Sequence, residues 1–175
     1  MKHLTVASKA LTLLFVAVFV VACSSTDTKE AEEAAAAAAA AATAASVAAE
    51  QAAAAEQASV IAGLEDAVAT VGNVFYFEYD SSTLTPAAAA SLDAHIALLG
   101  TNDRSVRLEG HTDERGTRDY NMALGERRAN AVRDYMAASG IASYRVETVS
   151  YGEEQPVAYG TDESNWSQNR RVELK

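Results

Sequence analysis

Runs of large apolar positions are concentrated in the part of the chain that follows Gly72. Residues 74–79 form an aromatic stretch between turn-forming residues, and this composition predicts a strand. Thr85 and Pro86 predict a helix start, because threonine caps free N–H groups and proline suits the first helical position. Leucine and isoleucine at helical spacing follow, and Gly100 predicts the end of this helix.

The same reading continues to the last residue of the sequence. It predicts a strand at 105–108, a helix at about 119–139, a strand at 145–151, a long loop at 156–166 and a final strand at 169–174. The resulting order is β-α-β-α-β-β. This order predicts an α+β domain built as a two-layer α/β sandwich, with the helices on one face of the sheet.

Residues 23–71 have a different pattern, since alanine dominates and large apolar residues are rare before Val60. Helix propensity is high, because the stretch has no proline and Gly63 is its only glycine. We expect a spacer, either helical or a disordered tether. Fully helical, residues 31–69 would extend ~58 Å. An oligomer of helices that pack against each other through alanine is less favoured, because the stretch has no continuous heptad repeat of larger apolar residues.

The first residues are typical of an export signal. Lys2 and Lys9 form a short positive region, and residues 10–22 are apolar apart from one threonine. This stretch is too short to span a bilayer comfortably and fits the apolar part of a signal peptide. We therefore divide the chain into a signal peptide at 1–22, a spacer at 23–71 and a globular domain at 72–175.

The chain's single cysteine, Cys23, directly follows this apolar stretch and the small residue Ala22. The arrangement resembles a bacterial lipoprotein processing site, in which the cysteine becomes the lipidated first residue of the mature chain. Several acyl chains would give stable membrane attachment. In that pattern Ser24 indicates the outer membrane. The alternative is an ordinary signal peptide followed by an incidental cysteine.

Composition excludes several classes of function. The net charge of -10 argues against non-specific nucleic-acid binding. One cysteine excludes an internal disulfide framework and a cysteine-based zinc cluster. The 49% hydrophobic fraction is inflated by alanine and does not indicate a large core.

The charged segment 109–128 carries the candidate chemistry. It leaves a strand, passes two glycines and enters a helix, and it places Asp113 and Arg115 close to the helix start. Free N–H groups at a helix start favour an anion. A loop with both charge signs suits a ligand that itself carries both signs.

Arg128 lies on the apolar face of the predicted helix, roughly 40° from Leu124. A buried charge needs a partner. Two interpretations remain open at this point: an internal ion pair with Asp113 or Asp119, or a carboxylate of a ligand, which a guanidinium fits well.

Catalysis is the alternative to binding for the charged segment. His111, Asp113 and Glu114 could form a metal or acid–base cluster, but the sequence has no HExxH, no GxSxG and no phosphate-cradling glycine loop. We therefore expect no catalytic activity, no metal and no cofactor. The other alternative is a protein whose main role is structural spacing or protein–protein contact in the periplasm.

Several motifs carry a family resemblance across 72–175. They are FEYDSSTL, EGHTDERGTRDYN, ALGERRANAVRDYM, SYGEEQPVA and WSQNRRVEL. In order and spacing they resemble the peptidoglycan-associated lipoprotein family of Gram-negative bacteria, within the wider OmpA-like periplasmic domain family.

The resemblance implies non-covalent binding of peptidoglycan through the diaminopimelate of its stem peptide. It implies that Asp113 takes the ammonium group, that Arg128 holds a carboxylate, and that the same pocket is lined by Asp80, Tyr79, Arg115 and Leu124. The Arg170-Arg171 pair would be structural, pairing with acids near the loop. The family also implies TolB as a partner, within the Tol-Pal system that holds the outer membrane to the wall during division.

Overall fold

The computed structural model describes residues 27–175, apart from the side chains of residues 27, 28 and 30. The predicted signal peptide and Cys23 lie outside the described residues. The chain divides into two compact units, with the boundary between Glu50 and Gln51.

The alanine-rich stretch forms a helix, α1, over Asp27–Val71. Its described side chains are exposed as far as Val60, as expected for a segment with few large apolar residues. Ile61, Leu64 and Val68 are half-buried, and their spacing places them on one face. Within residues 27–175, no helix combines the length and apolar composition that crossing a membrane requires.

The remaining elements follow in close succession. They are β1 (Val74–Tyr76), α2 (Pro86–Leu99), β2 (Val106–His111), α3 (Arg118–Ala138), a 3₁₀ turn (Ser143–Arg145), β3 (Val146–Gly152), α4 (Glu163–Asn169) and β4 (Arg171–Leu174). The predicted N-cap is confirmed, since the Thr85 hydroxyl accepts a hydrogen bond from the Ala88 N–H at 3.1 Å.

The four strands form one sheet in the order β1-β4-β2-β3. β2 and β3 are parallel, whereas β4 runs antiparallel to both of its neighbours. α2 and α3 share one core with the sheet, in which Leu92 and Val132 of the helices lie with Phe75 and Leu108 of the strands. The predicted two-layer α+β architecture is confirmed.

The loop predicted over 156–166 is wrong for its last four residues, because α4 begins at Glu163. The Asp162 carboxylate caps this helix by accepting a hydrogen bond from the Asn165 N–H at 3.1 Å. The sequence of α4, ESNWSQN, has a single large apolar residue and therefore no apolar periodicity. The first strand is also shorter than predicted, since it ends at Tyr76.

A close backbone contact places α3 against β2. A Cβ atom added to Gly110 would lie 2.0 Å from the carbonyl oxygen of Gly125. One added to Gly125 would lie 2.4 Å from the Ser150 hydroxyl oxygen. Only glycine permits this approach, which sets the distance of the α3 side chains from the end of β2.

We predict that Gly110→Ala lowers the free energy of unfolding by at least about 2 kcal/mol, because the added methyl group overpacks a rigid backbone contact. Urea denaturation measures this loss. Gly63→Ala is the matched control, since nothing lies within 4 Å of the position in α1. Equal stability of Gly110→Ala and the parent protein would show that the contact is not a constraint.

Candidate functional site

A narrow cleft opens where β2 leaves the sheet, between the β1–α2 connection, the β2–α3 loop and α3. It is lined by Tyr79, Asp80, Thr112, Asp113, Arg115, Tyr120, Asn121, Leu124 and Arg128. All six binding residues predicted from the sequence lie in this list. That they bind a ligand stays a prediction.

The sequence interpretation missed Thr112, Tyr120 and Asn121. Thr112 directly precedes Asp113, and its buried hydroxyl has no hydrogen-bond partner among the described residues. Helical spacing gave a signal for Asn121, which lies three residues before Leu124 and seven before Arg128 on α3. Nothing in the pattern distinguished Tyr120 from an ordinary exposed tyrosine.

Arg128 is fully buried on the core-facing side of α3. Its guanidinium donates to three backbone carbonyl oxygens: Nε to Ser81 at 2.8 Å, Nη1 to His111 at 2.9 Å and Nη2 to Glu78 at 3.0 Å. The internal ion pair considered from the sequence is therefore replaced by carbonyl contacts. A guanidinium has five N–H donors, so two N–H groups of Arg128 are not used by these three bonds.

Burial lowers the pKa of Arg128 to about 10, and the nearby Asp113 charge opposes that shift. At neutral pH the side chain is therefore still a cation. It is a buried positive charge in the lining of the cleft, where electrostatic attraction is stronger than at an exposed site.

Asp113 is the buried anion of the cleft, with 4% of its surface exposed. Its Oδ1 accepts from the Arg115 backbone N–H at 3.1 Å and from Arg115 Nε at 3.2 Å. Its Oδ2 accepts from Arg115 Nη2 at 2.6 Å and from Arg170 Nη1 at 3.4 Å. Burial alone would raise the pKa of Asp113, but the hydrogen bonds from the two arginines outweigh it and hold the pKa below its usual value.

The predicted structural role of the final arginine pair is consistent with its contacts. Arg170 is buried and also donates to the Phe77 carbonyl oxygen at 3.1 Å and to a Glu163 carboxylate oxygen at 2.5 Å. Arg171 pairs with Glu173 at 2.7 Å. Arg171 Nη2 also donates to the Gln155 carbonyl oxygen at 3.2 Å, so both arginines tie the start of β4 to other segments.

Arg115 is held from several sides. Its guanidinium carbon lies 4.0 Å from the ring centre of Tyr79 and 4.1 Å from that of Trp166, at distances typical of cation–π contacts. A Glu163 carboxylate oxygen lies 3.7 Å from its Nη2. Trp166 and Glu163 belong to α4, the helix that the sequence interpretation missed.

Asp80 has a backbone φ of 50°, in the left-handed region that few side chains adopt readily. Its carboxylate accepts a hydrogen bond from the Tyr120 hydroxyl, and this bond raises the pKa of the tyrosine. The contact links the β1–α2 connection to the first turn of α3 across the mouth of the cleft.

His111 does not line the cleft. It is 2% exposed and stacks on Tyr151, with ring centres 5.5 Å apart. Neither ring nitrogen has a hydrogen-bond partner among the described residues. Within residues 27–175, no group of three or more His, Cys, Asp or Glu side chains is placed to hold a metal ion.

Comparison with known proteins identifies the family to which the chain belongs. The model of the OmpA family matches residues 76–170. The chain belongs to the OmpA family. A peptidoglycan-associated lipoprotein of Pseudomonas putida is 58% identical over 111 residues, covering 63% of this chain and 67% of the relative. One of Rhizobium meliloti is 46% identical over 109 residues, covering 62% of each.

The crystal structure of the peptidoglycan-associated lipoprotein from Burkholderia pseudomallei is similar in fold. The TM-score is 0.58 at 42% identity, covering 59% of this chain and 88% of that structure. The matched segment spans about two thirds of the length of the curated relatives. The family resemblance inferred from the motifs is confirmed.

We predict that Arg128→Met lowers the free energy of unfolding by more than about 3 kcal/mol, because three buried carbonyl groups lose their donor. The neighbouring Arg127→Met is the matched control. Arg127 is exposed and lies 5.6 Å from the Tyr120 ring, so its loss should change stability by about 0.5 kcal/mol or less. Urea denaturation of the two variants measures the difference. Equal stabilities would contradict a structural role for Arg128.

We also predict that His111 makes the free energy of unfolding depend on pH in the acid range. Burial, with the Arg171 charge as a smaller cause, lowers the pKa of His111 to about 4, against an ordinary value of 6.5. Between these two pH values the unfolded chain binds a proton that the folded chain does not. Stability therefore falls as the pH drops from 6.5 to 4, by up to about 3 kcal/mol.

His111→Phe tests this contribution, because phenylalanine keeps an aromatic ring against Tyr151 and does not titrate. The variant should show a flatter dependence of unfolding free energy on pH between 6.5 and 4. Asp113 and Glu173, whose pKa values are both lowered, are common to the two proteins and cancel in the comparison. Parallel pH curves would rule out the contribution of His111.

Proposed function

We propose that the domain at 72–175 binds peptidoglycan non-covalently through the diaminopimelate of the stem peptide. One observation carries the proposal: a buried carboxylate, Asp113, and a buried guanidinium, Arg128, line the same cleft. A ligand end that carries an ammonium group and a carboxylate matches this pair of charges. The name of the relatives, peptidoglycan-associated lipoprotein, supports peptidoglycan as the polymer that is bound.

In this proposal Asp113 receives the ammonium group. Arg128 donates its two remaining N–H groups to the carboxylate. Asp80 and Tyr79 form one side of the cleft, Arg115 its outer edge, and Leu124 contacts the methylene groups between the two ends of diaminopimelate. The activity is binding, with no chemical step.

The chain is a lipid-anchored protein of the outer membrane, with its domain in the periplasm. Cys23 carries the lipid after removal of residues 1–22, and residues 23–71 form the spacer. The lipid and the wall-binding cleft then tether the outer membrane to the cell wall. TolB and the Tol-Pal system are the protein partners that the family implies, with a role in envelope integrity and division.

We expect the protein without its predicted signal peptide and lipidation site (residues 24–175) to co-sediment with purified peptidoglycan sacculi. Its Asp113→Asn variant should remain in the supernatant. The substitution keeps the size of the side chain and removes the charge that the ammonium group requires. The measurement is the pelleted fraction at equal protein concentration, with folding of each variant checked by circular dichroism.

Arg107→Ala is the control, because it removes an arginine from the far end of β2, where the side chain is half exposed and pairs with Glu147 at 3.0 Å. It should pellet like the parent. If the folded parent stays in the supernatant, the wall-binding proposal fails, and structural spacing or protein contact becomes the leading role.

A further inference from the structure

The spacer helix α1 and the cleft adjoin opposite ends of the sheet. β1 follows α1 after only two residues. β1 and β2 both run antiparallel to β4, so the two strands begin at one end of the sheet and finish at the other. The cleft starts just beyond their final residues, where Tyr79 and Thr112 line it. At the first end, residues 53–61 of α1 share a groove with Thr101, in the turn that precedes β2.

These two ends determine the direction of any tension on the domain. In the proposed function, the spacer pulls on the domain at Gly72 and the cell wall pulls on it at the cleft. A body that is pulled at two points turns until the line between them follows the tension. That line runs along the strands, so β1 carries the tension along its own axis.

The hydrogen bonds between β1 and β4 lie across this tension. The three residues of β1 pair with residues 171–173 of β4. Next to these pairs, the Leu174 N–H donates to the Asn73 carbonyl oxygen and the Phe77 N–H to that of Arg170, both at 2.9 Å. Antiparallel hydrogen bonds are perpendicular to the strands. A pull along β1 therefore strains all of these bonds together, whereas a pull across the sheet breaks them one after another from the end.

Further contacts hold the point at which the tension enters the domain. Gly72 ends α1 with a φ of 70°, and its carbonyl oxygen accepts a hydrogen bond from His95 Nε2 of α2 at 2.8 Å. His95 is buried, and its ring stands edge-on to that of Phe75 with ring centres 5.7 Å apart. Asn73 Nδ2 donates to the Leu174 carbonyl oxygen at 2.9 Å. Peeling of β1 from this end must also break these two side-chain hydrogen bonds.

The other end of β1 is fixed beside the cleft. Arg170 Nε donates to the Phe77 carbonyl oxygen at 3.1 Å, and Arg128 Nη2 donates to that of Glu78 at 3.0 Å. The Phe75 and Phe77 side chains are buried in the core. β1 is therefore held at both ends and along its length, so it can transmit tension from the spacer to the cleft lining while it stays in the sheet.

We propose that β1 has a mechanical function: it carries the tension between the spacer and the cleft in shear against β4, and His95 prevents this tension from peeling β1 away. The inference rests on the proposed function for the direction of the natural tension. The mechanical resistance itself belongs to the folded domain and is measured without any ligand.

The test is forced unfolding of residues 24–175 in magnetic tweezers, with two cysteine attachment points in each protein. This protein has no cysteine of its own, because Cys23 is the only one in the sequence. Ala55→Cys in α1 is exposed and serves as the first point in both geometries. Glu114→Cys, exposed in the loop beside the cleft, gives a pull along the strands.

Glu147→Cys, exposed on β3, gives a pull across the strands instead. β3 is the edge strand on the far side of the sheet from β1. The pairing registers place Val149 of β3 level with Val74 of β1. Glu147, two residues earlier on β3, therefore lies level with Gly72.

We predict that unfolding along the strands requires at least about twice the force required across them, because all the bonds between β1 and β4 share the load. The ratio of the two forces is the decisive quantity, since a general loss of stability lowers both forces. Forced unfolding reports the unfolding rate, so both geometries are measured at the same loading rate.

His95→Phe tests the contact at Gly72, because phenylalanine keeps a ring against Phe75 and cannot donate the hydrogen bond. It should lower the force across the strands more than the force along them, since peeling begins at Gly72. Asn73→Ala, at an exposed position, should act in the same direction. Tyr135→Phe is the matched control. It removes a hydrogen bond of 2.9 Å to Asp93, away from β1 and the attachment points, and should leave the ratio unchanged.

Two results would overturn the inference. Equal forces along and across the strands would show that β1 does not resist tension in shear. An unchanged ratio in both His95→Phe and Asn73→Ala would show that nothing at Gly72 opposes peeling. Neither result depends on the binding of sacculi. A parent protein that fails to pellet with sacculi but keeps the twofold difference in force would contradict the proposed function and leave the mechanical resistance of β1 established.

Discussion

The cleft depends on the hydrogen bonds that the buried guanidinium of Arg128 donates to three backbone carbonyl groups. The guanidinium reaches from α3 to carbonyl groups on both sides, to Glu78 and Ser81 in the β1–α2 connection and to His111 at the end of β2. Charge-assisted hydrogen bonds of this kind are stronger than neutral ones and fix geometry. One side chain thereby holds three segments at a set distance from each other, and the space between them is the cleft.

The two buried charges of the cleft are stabilised by different means. Arg128 is surrounded by carbonyl dipoles, which leave its net positive charge in place. Asp113 is paired with two arginines, so its negative charge is largely neutralised before any ligand arrives. A cleft built in this way is ordered by its own contacts, so a ligand that bound there would not have to pay the entropy of ordering these side chains.

The sequence identified the parts of this arrangement that have a local signature. The Thr85-Pro86 helix start, the helical stripe of α3 and the position of Arg128 within that stripe were all visible in the spacing of residues. The carbonyl partners of Arg128 were not, because backbone carbonyl groups have no sequence signature. Arg170 reaches Asp113 across 57 positions, a contact that only the sheet order creates. The helix α4 was missed because a seven-residue polar segment is defined by its cap at Asp162 and not by periodicity.

The sheet order also constrains when the domain can form. β4 lies between β1 and β2, so the strand that comes last in the domain fills the middle of the sheet. Until residues 171–174 are available, β1 has no neighbour to pair with, and Arg170 cannot reach Asp113. Contacts between distant parts of a chain form slowly, since a long loop must close first. A chain crossing a membrane from its first residue would therefore stay unfolded in transit, and the cleft would assemble only after release.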